Sequence, residues 1–237
     1  MEAEKVIRFQ QKVRFNAAPR RSMFWLNVCA ACAVLAITSA GCNPEQTATR
    51  DFGDEVSGKA DVRKGVKPEA DSEAAVIETN FGDIVIELYP NLAPKMVERF
   101  KTLAREGFYN GTTFHRIDSE TGVVQGGDPN SKDADPSNDG MGGSSYPDLP
   151  AEFTDVLFER GVVGAARSRD INSANAQFYI TLKRVPMWDG KYTVFGRVIR
   201  GMNDADIIST APVRVGTENP ADPIVIKRVT LQPRAKF

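Results

Sequence analysis

Residues 113–128 read TFHRIDSETGVVQGGD. Two short apolar runs, Thr113 to Ile117 and Val123 to Gln125, flank a polar turn, and the second ends in Gly126-Gly127. Runs of this length between turn residues are strands. Working outward, the same grammar recurs. Upstream, Val76 to Thr79 and Ile84 to Leu88 frame Asn80-Phe81-Gly82-Asp83, a hairpin turned by Gly82. Pro94 suits a first helical turn. Met96, Val97, Phe100, Leu103 and Ala104 follow at helical spacing, and Gly107 is the stop. Downstream, 128–150 is a long Gly-, Ser-, Asp- and Pro-rich loop. Val162 to Ala166, Phe178 to Thr181, Thr193 to Gly196 and Ile224 to Leu231 are further strands, and Met202 to Ile208 is a short second helix. Many short strands without regular strand–helix alternation predict a mainly β sandwich or barrel.

The chain of 237 residues is 41% hydrophobic, enough for a buried core, so global disorder is excluded. Its net charge of −1 argues against a nucleic-acid partner. Cys29, Cys32 and Cys42 all precede residue 43, so the rest holds neither a disulfide framework nor a thiol nucleophile. His115 is the one histidine. With no cysteine or second histidine beside it, no metal site of the usual zinc kind is expected, and no cofactor. Gly140-Met141-Gly142-Gly143 lacks the Lys-Ser/Thr pair of a phosphate cradle.

Residues 1–42 carry six Lys or Arg against two Asp or Glu, leaving 24 basic and 29 acidic residues for the remainder. Met23 to Ala40 is apolar and uncharged, follows Arg14, Arg20 and Arg21, and runs into Ser39-Ala40-Gly41-Cys42. A positive leader, an apolar stretch and small residues at its end describe an export signal. The end resembles a bacterial lipobox with Cys42 as the lipidated residue, although Ser39 replaces the usual aliphatic residue. An uncleaved membrane anchor, a released protein after cleavage and a buried helix are the other readings. Cell-envelope location with a membrane anchor is expected. Residues 43–73 are polar and nearly free of large apolar side chains, which predicts a flexible tether. The folded domain is then 74–237.

Four segments stand in order: Phe114-His115-Arg116-Ile117, Gln125-Gly126-Gly127-Asp128, Gln177-Phe178-Tyr179-Ile180 and Asp189 to Gly196. Together they resemble the cyclophilin family of peptidyl-prolyl cis-trans isomerases over about residues 74–231. The resemblance implies a closed eight-stranded antiparallel β-barrel capped by two α-helices. It also implies a peptide groove on the outer face and proline-containing polypeptides as partners of a monomeric domain. In the envelope, the clients would be exported proteins.

Rotation about an X–Pro bond meets a barrier of about 18–20 kcal/mol because it breaks amide resonance. No bond to a heavy atom forms or breaks. A catalyst needs a donor for the prolyl nitrogen, an apolar pocket for the ring and an anchor for the carbonyl. Arg116 matches the family's catalytic arginine, a permanently charged donor. Gln125 matches a glutamine that bonds the substrate backbone and braces that arginine. Gln177 and Tyr179 lie two apart and share a strand face, with Phe178 and Ile180 on the other. Tyr179 matches the phenylalanine under the proline pocket, and its extra hydroxyl requires a partner or water. Ala166 and Arg167 match an Ala-Asn pair that binds peptide backbone. His115 points away from Arg116 and reads as a packed residue.

The sequence also departs from the family pattern. The stretch from Arg116 to Gln125 is one residue longer than the common form and includes two acids, Asp118 and Glu120, able to pair with the arginine. Counting back from Gln125 puts Gly122 and Val123 where the family has an aromatic residue and a methionine, so the pocket wall is thinner. Met187-Trp188 replaces an aromatic–aliphatic pair. Met187 at the position of a tryptophan implies weak cyclosporin binding, and Trp188 is either groove wall or core. Tyr192 matches a frequent histidine. A non-catalytic adaptor or holdase for proline-containing segments is the alternative function.

Overall fold

The computed structural model describes residues 60–237. Residues 1–59, with the expected leader, Cys42 and most of the expected tether, lie outside them. The elements are β1 (Glu73–Thr79), β2 (Asp83–Leu88), α1 (Pro94–Arg105), β3 (Phe114–Asp118), β4 (Val123–Gly126), β5 (Val162–Ala165), β6 (Phe178–Thr181), β7 (Val194–Arg200), α2 (Met202–Ser209) and β8 (Ile226–Pro233).

The hairpin closes where Thr79 N–H donates to Gly82 O at 3.0 Å, with Gly82 at φ +133°. Helix α1 begins on Pro94 and buries Met96, Val97, Phe100, Leu103 and Ala104. Glu152 reaches its first turn from elsewhere in the chain, accepting Lys95 N–H and Met96 N–H at 3.1 and 3.0 Å. Gly107, at φ +69°, lets the chain leave the helix.

The strands form one antiparallel sheet in the order β3-β4-β6-β5-β7-β2-β1-β8. Along β3 to β7, alternation sorts the buried side chains between two clusters. Phe114, Val124, Ala165, Phe178, Ile180 and Phe195 join the inner core under α1. Val123, Val162, Tyr179 and Val194, from the intervening positions, join a smaller outer cluster with Phe158, Trp188 and Tyr192.

The sheet curls into an open half-barrel, which corrects the expected closure. Strands β3 and β8 share no ladder. The seam carries one bridge, Thr113–Val225, and hydrogen bonds such as Phe114 N–H to Ile224 O at 2.9 Å. Further along β3, the outer edge is taken by the loop after α2, where Glu218 O accepts Ile117 N–H at 2.8 Å.

The polar stretch before the domain also differs from expectation over residues 60–72. Arg63 N–H donates to Phe153 O at 3.0 Å and Asp155 N–H to Arg63 O at 3.1 Å. The Arg63 side chain caps Asn91 O at 3.1 Å and also bonds Leu92 O. Asn91 holds Lys67 O at 2.8 Å, and Val66 packs on the outer cluster. Backbone and polar side-chain bonds, with Val66 as an apolar contact, fix this segment.

Candidate active site

Arg116 projects from β3 with its side chain only 17% exposed. Each end of its guanidinium is held. Nε donates to Glu218, one η nitrogen donates to Asp118 Oδ2 at 3.0 Å, and the other reaches Gln125 Oε1 at 3.4 Å. The amide of Gln125 then donates to Gln177 Oε1 at 2.9 Å. Gln177 Nε2 donates to Gly142 O at 2.7 Å and reaches Asp128 Oδ2 at 3.3 Å. Asp128 fixes the long loop by accepting Gly142 N–H at 3.0 Å and Asn130 N–H at 2.8 Å. A polar relay thus runs from β3 through β4 to the residue before β6, in which each amide oxygen accepts and each amide nitrogen donates.

The turn before β4 explains the altered wall. Gly122 sits at φ +80°, its N–H donates to Asp118 O at 2.8 Å, and Asp118 Oδ1 accepts Thr121 N–H at 2.8 Å. At this φ any side chain is strained, and a Cβ on Gly122 would also stand 2.7 Å from the Lys183 side chain, which would have to move to admit an aromatic residue. Asp118 pairs with Arg116, whereas Glu120 offers its backbone carbonyl to Lys183 Nζ at 2.5 Å.

Beside the relay lies the outer cluster. Tyr179 and Val123 are fully buried in it. The Tyr179 ring packs 4.9 Å from Trp188 and 6.2 Å from both Phe158 and Tyr192. It fits because Gly164 has no side chain: a Cβ there would meet Tyr179 Oη at 2.4 Å. Burial pushes the Tyr179 phenol well above its usual range, neighbouring Tyr192 adds to this, and Arg167 opposes it. The Tyr179 hydroxyl is buried with no hydrogen-bond partner among the described residues.

Arg167 lies over Tyr192, 4.2 Å from the ring centroid, and donates to Ser168 O and Lys191 O at 2.8 and 3.2 Å. Ala166 N–H is taken by Gln177 O at 3.0 Å. Trp188 is buried in the cluster and Met187 is 66% exposed beside it. His115 is buried, its carbonyl accepting from Asn219 Nδ2 at 3.1 Å.

The structure therefore places Arg116, Gln125 and Gln177 on one hydrogen-bonded line. It gathers Val123, Ala166, Tyr179, Trp188 and Tyr192 in one apolar cluster with Arg167 on its rim, and leaves Met187 at the surface. Sequence reasoning missed Glu218, Asp128 and Gly142. Glu218 lies 102 residues from Arg116 in a loop with no motif, so nothing local pointed to it. Among the described residues no group of three His, Cys, Asp or Glu side chains is placed to hold a metal.

The cyclophilin-type peptidyl-prolyl cis-trans isomerase family model matches residues 74–231. A probable peptidyl-prolyl cis-trans isomerase of Brucella suis is 49% identical over 144 residues, covering 59% of this chain and 73% of that one. Among solved structures, a Cryptosporidium parvum cyclophilin type peptidyl-prolyl cis-trans isomerase, crystallised in the presence of the dipeptide Ala-Pro, superposes with a TM-score of 0.60 at 29% identity. That match covers 67% of this chain and 98% of the other. Cyclophilin AquaCyp293 from Hirschia baltica shares the fold with a TM-score of 0.54 at 22% identity. The chain belongs to the cyclophilin-type peptidyl-prolyl cis-trans isomerase family.

Proposed function

We infer that this protein is a peptidyl-prolyl cis-trans isomerase that accelerates rotation about X–Pro bonds. The observation that carries the reading is the guanidinium of Arg116, mostly buried and bonded at every nitrogen beside an aromatic cluster. As the imide twists, its nitrogen loses conjugation and regains a lone pair. A fixed N–H donor stabilises that state more than the planar ground state, which is what lowers a barrier. A hydrogen bond to a charged group contributes about 1.5–3 kcal/mol, or roughly one to two decades of rate. Gln125 and the strand end at Ala166 and Arg167 serve as anchors for the peptide backbone. Val123, Tyr179, Trp188 and Tyr192 form the apolar seat for the ring.

An assay of the full-length chain on an Ala-Pro peptide, with cis and trans forms distinguished by protease cleavage, tests the reading. Catalysed isomerisation is expected. Peptide binding without acceleration would instead support the adaptor or holdase, which one observation favours: Tyr179 and Val123 expose no surface, so a proline ring must displace a neighbour before it touches them.

The expected leader supports a reading of clients and location. We propose that the clients are exported proteins in the cell envelope and that a lipid on Cys42, or the apolar stretch 23–40, holds a monomeric domain at a membrane. Mass spectrometry of the mature N-terminus separates these anchors: a diacylated Cys42 supports the first, an intact leader the second, and an unmodified cleaved end contradicts both.

A further inference from the structure

The loop between α2 and β8 grips Arg116 from three sides. Asn219 Nδ2 donates to His115 O at 3.1 Å, and Glu218 O accepts Ile117 N–H at 2.8 Å. His115 O and Ile117 N belong to the two peptide groups that flank Arg116, so this loop bonds the backbone on both sides of that residue. The Glu218 carboxylate then takes the Arg116 Nε–H. The loop is itself braced, with Arg214 N–H on Asn219 O at 2.9 Å, Ala221 N–H on Pro212 O at 2.7 Å and a Val213–Pro220 bridge. Glu218 is therefore presented from a folded support.

We infer that Glu218 is a positioning residue for the isomerase reaction: through Nε it sets the plane in which the Arg116 guanidinium meets the substrate. The inference rests on the isomerase reading above. Two opposing effects of Glu218 have to be weighed. Its charge partly neutralises the guanidinium, which weakens the donor. Its bond to Nε fixes the fork, which aligns the donor before reaction. Asp118 bonds a different nitrogen of the guanidinium, at 3.0 Å, so removing Glu218 leaves a second carboxylate beside it. Losing Glu218 therefore changes orientation more than charge, and misplaced donors lose transition-state stabilisation rather than substrate binding.

The test is kcat and KM of the full-length chain on an Ala-Pro peptide for Glu218→Ala and Glu218→Gln, with Arg116→Ala as control and melting temperatures alongside. Glu218→Ala is expected to lower kcat about tenfold with KM within about twofold. Glu218→Gln, whose amide oxygen still accepts from Nε, should keep kcat within about threefold of the parent. The role assigned to Glu218 is overturned if Glu218→Ala keeps the parent kcat, if the loss lies in KM alone, or if Gln loses as much as Ala. Should Arg116→Ala retain the parent rate, the placement of the reaction at Arg116 fails, and the role of Glu218 with it.

Discussion

Two buried tyrosines on the same half-barrel are treated differently. Tyr109, in the inner core, donates to Ala176 O at 3.0 Å and packs against Phe100 and Phe178. Tyr179, in the outer cluster, is equally buried, yet its hydroxyl has no hydrogen-bond partner among the described residues. The inner cluster satisfies its polar atoms and serves stability. The outer one carries an unsatisfied hydroxyl, in the cluster beside Arg116 that is proposed to seat the proline ring. A buried polar atom left unpaired costs about 1–3 kcal/mol, and such costs gather at functional sites.

The comparison can be tested, beginning with the largest expected effect. Phe178 stands edge-on to Phe100, Tyr109 and Phe114 in the inner core. Phe178→Ala should cost about 3–5 kcal/mol in chemical denaturation. A cost near that of a surface change would mean that the inner cluster is not the stabilising one. Arg63→Ala removes the cap over Asn91 O and Leu92 O and should cost about 1–2 kcal/mol. Hydrogen exchange should then quicken at Asp155, whose N–H bonds Arg63 O. Unchanged exchange would show that this segment is held by something else.

The smallest effects come from the tyrosines themselves, and they should have opposite signs. Tyr109→Phe loses a made hydrogen bond and should destabilise by about 1 kcal/mol, whereas Tyr179→Phe removes an unmade one and should stabilise by up to about 1 kcal/mol. Equal signs would erase the distinction. Burial raises both phenols above the usual tyrosine range. A raised folded pKa means that the folded form binds more protons, so stability present below the unfolded value near 10 is lost as pH rises through it. Tyr179→Phe and Tyr109→Phe should each flatten that alkaline loss.

Local periodicity made much of this legible. Helix α1 and the first hairpin follow from helical spacing, Pro94, Gly82 and Gly107, although β1 begins three residues earlier than Val76. The alternation in β6 foretold that Phe178 and Tyr179 would face opposite ways. Long-range placement was harder. Composition marked 60–72 as too polar to order, but its order comes from backbone hydrogen bonds and from Asn91 and Arg63, which composition does not register. At the open seam a loop, not β8, bonds the edge of β3 at Ile117. Asp118 was recognisable as a partner for Arg116 because it lies two residues away, and Glu218 was not because only the fold brings it there.

Arg116→Ala in the full-length chain, assayed for isomerisation of an Ala-Pro peptide with the melting temperature measured in parallel, tests the central claim most directly. A fall of roughly ten- to a hundredfold in kcat/KM at an unchanged melting temperature is predicted. A rate equal to the parent's, with the fold intact, would contradict it.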